Sequence, residues 1–175
     1  MTRDEMVVNL WEREAVKKVM LRFGRALDTG DWAAYRSCFT DPITVDFQRL
    51  TGQPIVQVDP DLFTLFASQI LAPVRRHHSY SNWDINVEGD HADALVYMTS
   101  RHWRQTDFGA SENAQYGWYE VRFIKQGNDW LITRLKHDFQ WIGGNASLFD
   151  LNDPSLIDTM GKLFNEDTIL AGATT

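Results

Sequence analysis

A chain of 175 residues, 43% hydrophobic and 13% aromatic, is long enough to bury the core of one domain and too apolar to stay disordered. Its net charge of −7 counts against nucleic acid as a partner, because phosphate binding needs a basic surface. A single cysteine, Cys38, excludes an internal disulfide framework. No apolar run is long enough to span a bilayer, and the N-terminus lacks the apolar core of a signal peptide, so a soluble cytoplasmic protein is expected.

Thr2 followed by Glu5 has the capping-box pattern and opens a helix expected to reach Asp28. Val16, Val19, Met20, Phe23 and Leu27 recur along it at the spacing of one buried face. Gly30 suits the left-handed residue that closes a helix, and Asp31 caps a short second one with Trp32, Tyr35 and Phe39 on its buried side. Thr40-Asp41-Pro42 breaks the chain before a strand over 43–47, and Gly52 marks a turn. Asp59-Pro60 opens a third helix.

From Pro73 the period changes to two. Strands are expected over 78–88, 92–105, 115–125 and 130–141, with tight turns at Gly89-Asp90 and 126–129 and a polar loop from Thr106 to about Asn113. Asp153-Pro154 starts a last helix ending near Phe164, and Ala171 to Thr175 are expected to fray. The fold class is α+β: a curved antiparallel sheet wrapped around N-terminal helices and enclosing a pocket. One domain over 1–175 is expected, its core at 4–143 and its final helix at about 154–164.

Asp28 falls in the last turn of the first helix, where the helix dipole disfavours a carboxylate, so it needs a partner elsewhere. His78 begins the first long strand, with Asn82 on the same face unless a bulge intervenes. On the next strand the small and apolar set Ala94, Val96, Met98, Ser100 and His102 suggests the inward face and puts His102 at the cavity wall. On the strand after that, periodicity leaves open Tyr116-Trp118-Glu120 or Gly117-Tyr119-Val121-Phe123, with Trp118 the first choice for a pocket wall. A carboxylate that fixes an imidazole tautomer makes a general base working near neutral pH without metal or cofactor. His77, His78, His102 and Asp28 offer metal ligands in type, but no zinc-like spacing is present and no metal is expected. His91 lies in a turn, and His137 beside Asp138 reads as structural.

Ala26-Leu27-Asp28-x-x-Asp31-Trp32, Val45-Asp46-Phe47 with Gly52 after it, His78-x-x-x-Asn82, Gly89-Asp90-x-Ala92 and Asn128-Asp129-Trp130-x-Ile132 together resemble the SnoaL-like branch of the nuclear transport factor 2-like superfamily. The resemblance runs from about Glu12 to Gly143 and includes members of the scytalone dehydratase and bile acid 7α-dehydratase type. It implies a cone with a deep pocket and a cofactor-free Asp–His dyad acting on a small cyclic or polyketide-like molecule. Asp28 matches the family's aspartate and His78 its histidine. His102 falls near a second pocket histidine, and Phe23 matches a pocket-lining aromatic. Two tyrosines that polarise the substrate carbonyl in scytalone dehydratase are replaced here by Leu27 and Phe47, so that half of the chemistry is absent or supplied by His102, Tyr116 or Tyr119. Phe47, Asn82, Tyr116, Trp118 and Glu120 complete the expected substrate-binding set. A dimer or trimer of this chain is implied, as is, alternatively, a non-catalytic role like that of ring-hydroxylating dioxygenase β subunits or of a binding module.

Overall fold

A computed structural model describes residues 2–170. Its elements run α1 (Arg3–Thr29), α2 (Trp32–Arg36), β1 (Phe39–Asp46), α3 (Gln48–Thr51), β2 (Val56–Val58), α4 (Pro60–Leu71), β3 (Arg75–Glu88), β4 (His91–Thr106), β5 (Gly109–Gln126), β6 (Asp129–Gly144) and α5 (Pro154–Leu163). The expectation for Ala171 to Thr175 lies outside the described residues.

Local chemistry sets the helix ends. Thr2 accepts the Glu5 N–H while Glu5 accepts the Thr2 N–H, closing the capping box of α1. Gly30, at φ 73°, ends α1 in the left-handed conformation. Asp31, Asp59 and Asp153 each cap the helix that follows with a side-chain oxygen.

The six strands form one curved sheet in the order β2-β1-β6-β5-β4-β3. The long strands β3 to β6 form the expected antiparallel run, and β1 joins its edge by pairing parallel with β6 and antiparallel with β2. The polar loop expected after residue 105 is instead a two-residue turn, because β4 and β5 stay paired out to Thr106 and Gly109. β1 likewise continues through the expected break, with a cis bond at Asp41-Pro42. The expected turn near Gly52 carries the short helix α3 and strand β2.

α1 lies across β3 and β6 and buries Val16, Val19, Met20, Phe23 and Leu27 in the core. α5 packs on α4 of its own chain. On β5 the buried set is Gly117, Tyr119, Val121 and Phe123. Gly117 sits at a register shift with β6, where an added Cβ would collide with the backbone oxygen of Asp138. Gly117→Ala is therefore expected to destabilise the protein by about 1–3 kcal/mol, the usual cost of overpacking against atoms that cannot rotate away. A urea midpoint unchanged from wild type would contradict that close approach.

Candidate active site

β3 is the last strand of the sheet, so its outward-facing N–H groups have no strand to pair with. The end of α1 supplies one acceptor. Asp28 takes the backbone N–H of His78 at 3.0 Å and 3.2 Å with its two oxygens, and Oδ1 also lies 2.7 Å from His78 Nδ1. The Asp28 side chain is 19% exposed and that of His78 only 4%. Burial alone would raise the Asp28 pKa, but the bonds from the His78 ring and backbone outweigh it and hold the carboxyl below its ordinary value. An ionised Asp28 places the imidazole proton on Nδ1 and leaves a lone pair on Nε2. That gives the carboxylate a reason to stand at the unfavourable end of a helix dipole.

Across the β3–β4 ladder His78 faces Ser100, whose Oγ is 3.0 Å from His78 Nε2 and 3.1 Å from His102 Nε2. His102 is buried, with its ring packed against Phe149 at 4.9 Å between centroids. Burial and the nearby His78 push the His102 pKa down to about 4, partly offset by Asn113 on β5 and by Asp28. His102 is thus neutral at pH 7. His137, on β6, is likewise pushed to about 4 by burial and by His78. Its ring lies 5.1 Å from Tyr119 and 5.6 Å from Phe47.

Tyr80 stands two residues beyond His78 on the same face of β3, its hydroxyl buried with no hydrogen-bond partner. Gly24 on α1 makes room for its ring, since an added Cβ there would come within 2.7 Å of it. Burial raises the pKa of Tyr80, Tyr119 and Tyr35 alike, so all three are neutral phenols able to donate.

The structure brings Asp28, His78 and His102 together and places Phe23 and Phe47 in the same aromatic interior. Phe23 packs on Tyr119 at 5.8 Å, and Phe47 packs on Phe63 at 5.9 Å. It does not bring in the other four. Asn82 is exposed at φ 48°, within the register shift between Ser81 and Asp84 that breaks the expected alternation. Tyr116, Trp118 and Glu120 point to the opposite side of the sheet from Tyr119. There Tyr116 stacks on Trp141, Trp118 stacks on Tyr97, and Glu120 pairs with Lys136 at 2.8 Å. The reason is parity: once Tyr119 faces α1, its neighbours in that alternating set must face away.

Ser100, Tyr80 and His137 were not singled out for the site from the sequence. Ser100 had a legible signal, being the one small hydroxyl beside His102 on the inward set of β4. Two cavities of about 300 Å³ and 470 Å³ lie elsewhere, one between α1 and the β5–β6 turn and one on the outer sheet face around Arg101 and Tyr116. Neither touches the dyad. Among the described residues no group of three or more His, Cys, Asp or Glu is placed to hold a metal ion, and no helix is long and apolar enough to cross a membrane.

A long N-terminal helix laid across a curved, open sheet is the fold of the nuclear transport factor 2-like proteins. Residues 8–136 match the SnoaL-like domain, and the chain belongs to that family. No curated protein matches it. Among solved structures it is similar to a Kribbella flavida protein at TM-score 0.71 and 18% identity, over 75% of this chain and 92% of that one. It is also similar to a scytalone dehydratase-like protein of Novosphingobium aromaticivorans, at TM-score 0.67 and 19% identity over 78% and 89% of the two chains. The hexachlorocyclohexane dehydrochlorinase LinA-type3 of Novosphingobium barchaimii is similar at TM-score 0.64 and 12% identity, over 81% and 95%. At these identities the likeness is one of fold.

Proposed function

We propose that the protein is a cofactor-independent lyase or isomerase of dehydratase type, acting on a small cyclic or polyketide-like molecule. The observation that carries this reading is the buried 2.7 Å contact between Asp28 Oδ1 and His78 Nδ1, which leaves His78 Nε2 as a base. His78 removes a proton from carbon beside a carbonyl, and His102 assists the departing oxygen through Ser100, whose hydroxyl it touches. The leaving group takes the removed proton and exits as water, so no further reactant is needed. Neutral Tyr80 and Tyr119 are the donors available to a substrate carbonyl in place of the tyrosines missing at Leu27 and Phe47. Phe23 and Phe47 supply apolar walls. Structural likeness to a dehydratase-like protein and a dehydrochlorinase supports an elimination.

The test is proton exchange. A panel of cyclic β-hydroxyketones incubated with the protein in D₂O is expected to gain deuterium at the acidic carbon or lose water, and His78→Ala to do neither while staying folded. Exchange at the wild-type rate in His78→Ala would remove the mechanism. A non-catalytic subunit role gives no reason for an internal, hydrogen-bonded Asp–His pair and is the weaker reading.

Self-association is part of the proposal. The outer sheet face exposes Trp141 at 58% and Tyr97 at 42%, each stacked on a second aromatic ring. A second copy would cover these rings. Trp141→Glu is expected to shift sedimentation from dimer or trimer to monomer.

A further inference from the structure

Ser100 touches two imidazoles and has one proton to give. Its Oγ lies 3.0 Å from His78 Nε2 and 3.1 Å from His102 Nε2, and it makes no other hydrogen bond among the described residues. A hydroxyl donates once and accepts through its lone pairs. Two bare Nε2 atoms at those distances would leave one contact as lone pair against lone pair. Asp28 has already settled one side, since its carboxylate takes the Nδ1–H of His78 and leaves Nε2 unprotonated. Ser100 must then donate to His78 and accept from His102.

We infer that Ser100 is a positioning residue that sets opposite polarity at the two Nε2 atoms, a lone pair on His78 and an N–H on His102. All donors in the row His102–Ser100–His78–Asp28 then run toward the carboxylate, and each contact is satisfied. The competing tautomer of His102 would put its proton on Nδ1. That atom is buried without a hydrogen-bond partner, as is Asn113 Oδ1. Asn113 stands opposite His102 on β5, and side-chain hydrogen bonding from it raises the His102 pKa somewhat, but the contact lacks ordinary hydrogen-bond geometry at either Asn113 Oδ1 or His102 Nδ1. Nε2 is where the His102 proton meets an acceptor at ordinary hydrogen-bond distance, 3.1 Å from Ser100 Oγ.

The consequence for chemistry rests on the function proposed above. An elimination needs a base for the carbon-bound proton and a donor for the departing oxygen. By turning from His78 to the substrate, the Ser100 O–H frees the Nε2 lone pair as the base and becomes that donor, with the His102 N–H still supporting its oxygen. When His78 takes a proton at Nε2, Ser100 need not find a new partner. Its oxygen can accept from both imidazoles, which stabilises the cation, while its own O–H bond stays intact and points toward the substrate.

Tautomers are read directly from long-range ¹H–¹⁵N correlation of the imidazoles in the full chain, followed over a pH series. His78 is expected to show a pyrrole-like Nδ1 and a pyridine-like Nε2, and His102 the reverse. In Ser100→Ala, His102 is expected to move its proton to Nδ1, facing Asn113, while His78 keeps its pattern because Asp28 still holds it. Ser100→Thr retains the hydroxyl and should restore the wild-type pattern. Wild-type His102 protonated at Nδ1 overturns the inference, whether or not the alanine variant folds, and so does an unchanged His102 in a folded Ser100→Ala. With an exchanging substrate, Ser100→Ala should slow deuterium uptake about 100-fold, the usual effect of removing one donor or its support, and Ser100→Thr should recover most of it. The stated tautomers together with a complete lack of exchange in wild type would uphold the role of Ser100 and sink the proposed reaction instead.

Discussion

Asp28→Asn is expected to lower turnover by about 10³–10⁴-fold while the protein stays folded, the scale of loss seen when a catalytic imidazole is forced into its wrong tautomer. The asparagine fits the same space, and with its carbonyl oxygen in the place of Oδ2 it can still accept the His78 backbone N–H now held at 3.2 Å, which leaves the amide nitrogen where Oδ1 faces the ring. Its amide nitrogen, however, donates where the carboxylate accepted. The His78 proton moves to Nε2, and the lone pair that should meet the substrate is gone. The imidazolium formed during reaction also loses its counter-charge. Asp28→Ala goes further, because it leaves both the ring and backbone donors of His78 without their acceptor. About 1–3 kcal/mol of folding stability should go with it, the cost of an unmade hydrogen bond at a buried donor. The paired measurement is deuterium exchange beside a urea titration. An Asn variant within tenfold of wild-type turnover would show that Asp28 does not set the tautomer.

Stability should fall steeply as the pH drops from about 6.5 to about 4, the ordinary and folded-state values for both His102 and His137. The sign follows from proton binding. In that window the unfolded chain takes up protons on both rings and the folded protein does not, so acid favours unfolding. Each ring accounts for about 3 kcal/mol once the window has been crossed, because every tenfold difference in proton affinity between the two states is worth about 1.4 kcal/mol. Asp28 acts in the same direction at lower pH: its carboxyl is held below the ordinary value, so its contribution is present above that value and is lost as it protonates. His137→Gln removes one titrating ring and should flatten the pH dependence of the urea midpoint by about half within the window. An equal slope in wild type and variant would mean that His137 is not held neutral by burial.

The helix caps, the strand periodicities and the tight turns are local events, and the sequence carries them openly. Thr2 with Glu5, Gly30, Asp31 and Asp59-Pro60 act on neighbours within a few residues, so their effect does not depend on the rest of the fold. The inward face of β4 was equally plain, because its two alternating sets differ in size and polarity. On β5 both sets carry large aromatics, and only docking of α1 against Tyr119 chose between them. Asn82 failed for a related reason. The shift in register between Ser81 and Asp84 moves it out of the alternation, and nothing in the local sequence marks where such a shift falls.

The sequence by itself determined the long helices and strands, the direction in which β4 faces, and the need of Asp28 for a distant partner, since each follows from propensity, parity or a helix dipole. Tertiary structure decided which residues meet across the interior. The free edge of β3 offered Asp28 a backbone N–H together with an imidazole, the β3–β4 register set Ser100 between two histidines, and packing stripped His102 and His137 of the water that would let them charge. These depend on strand order and register, which are settled by contacts between residues far apart in the chain and by no local preference.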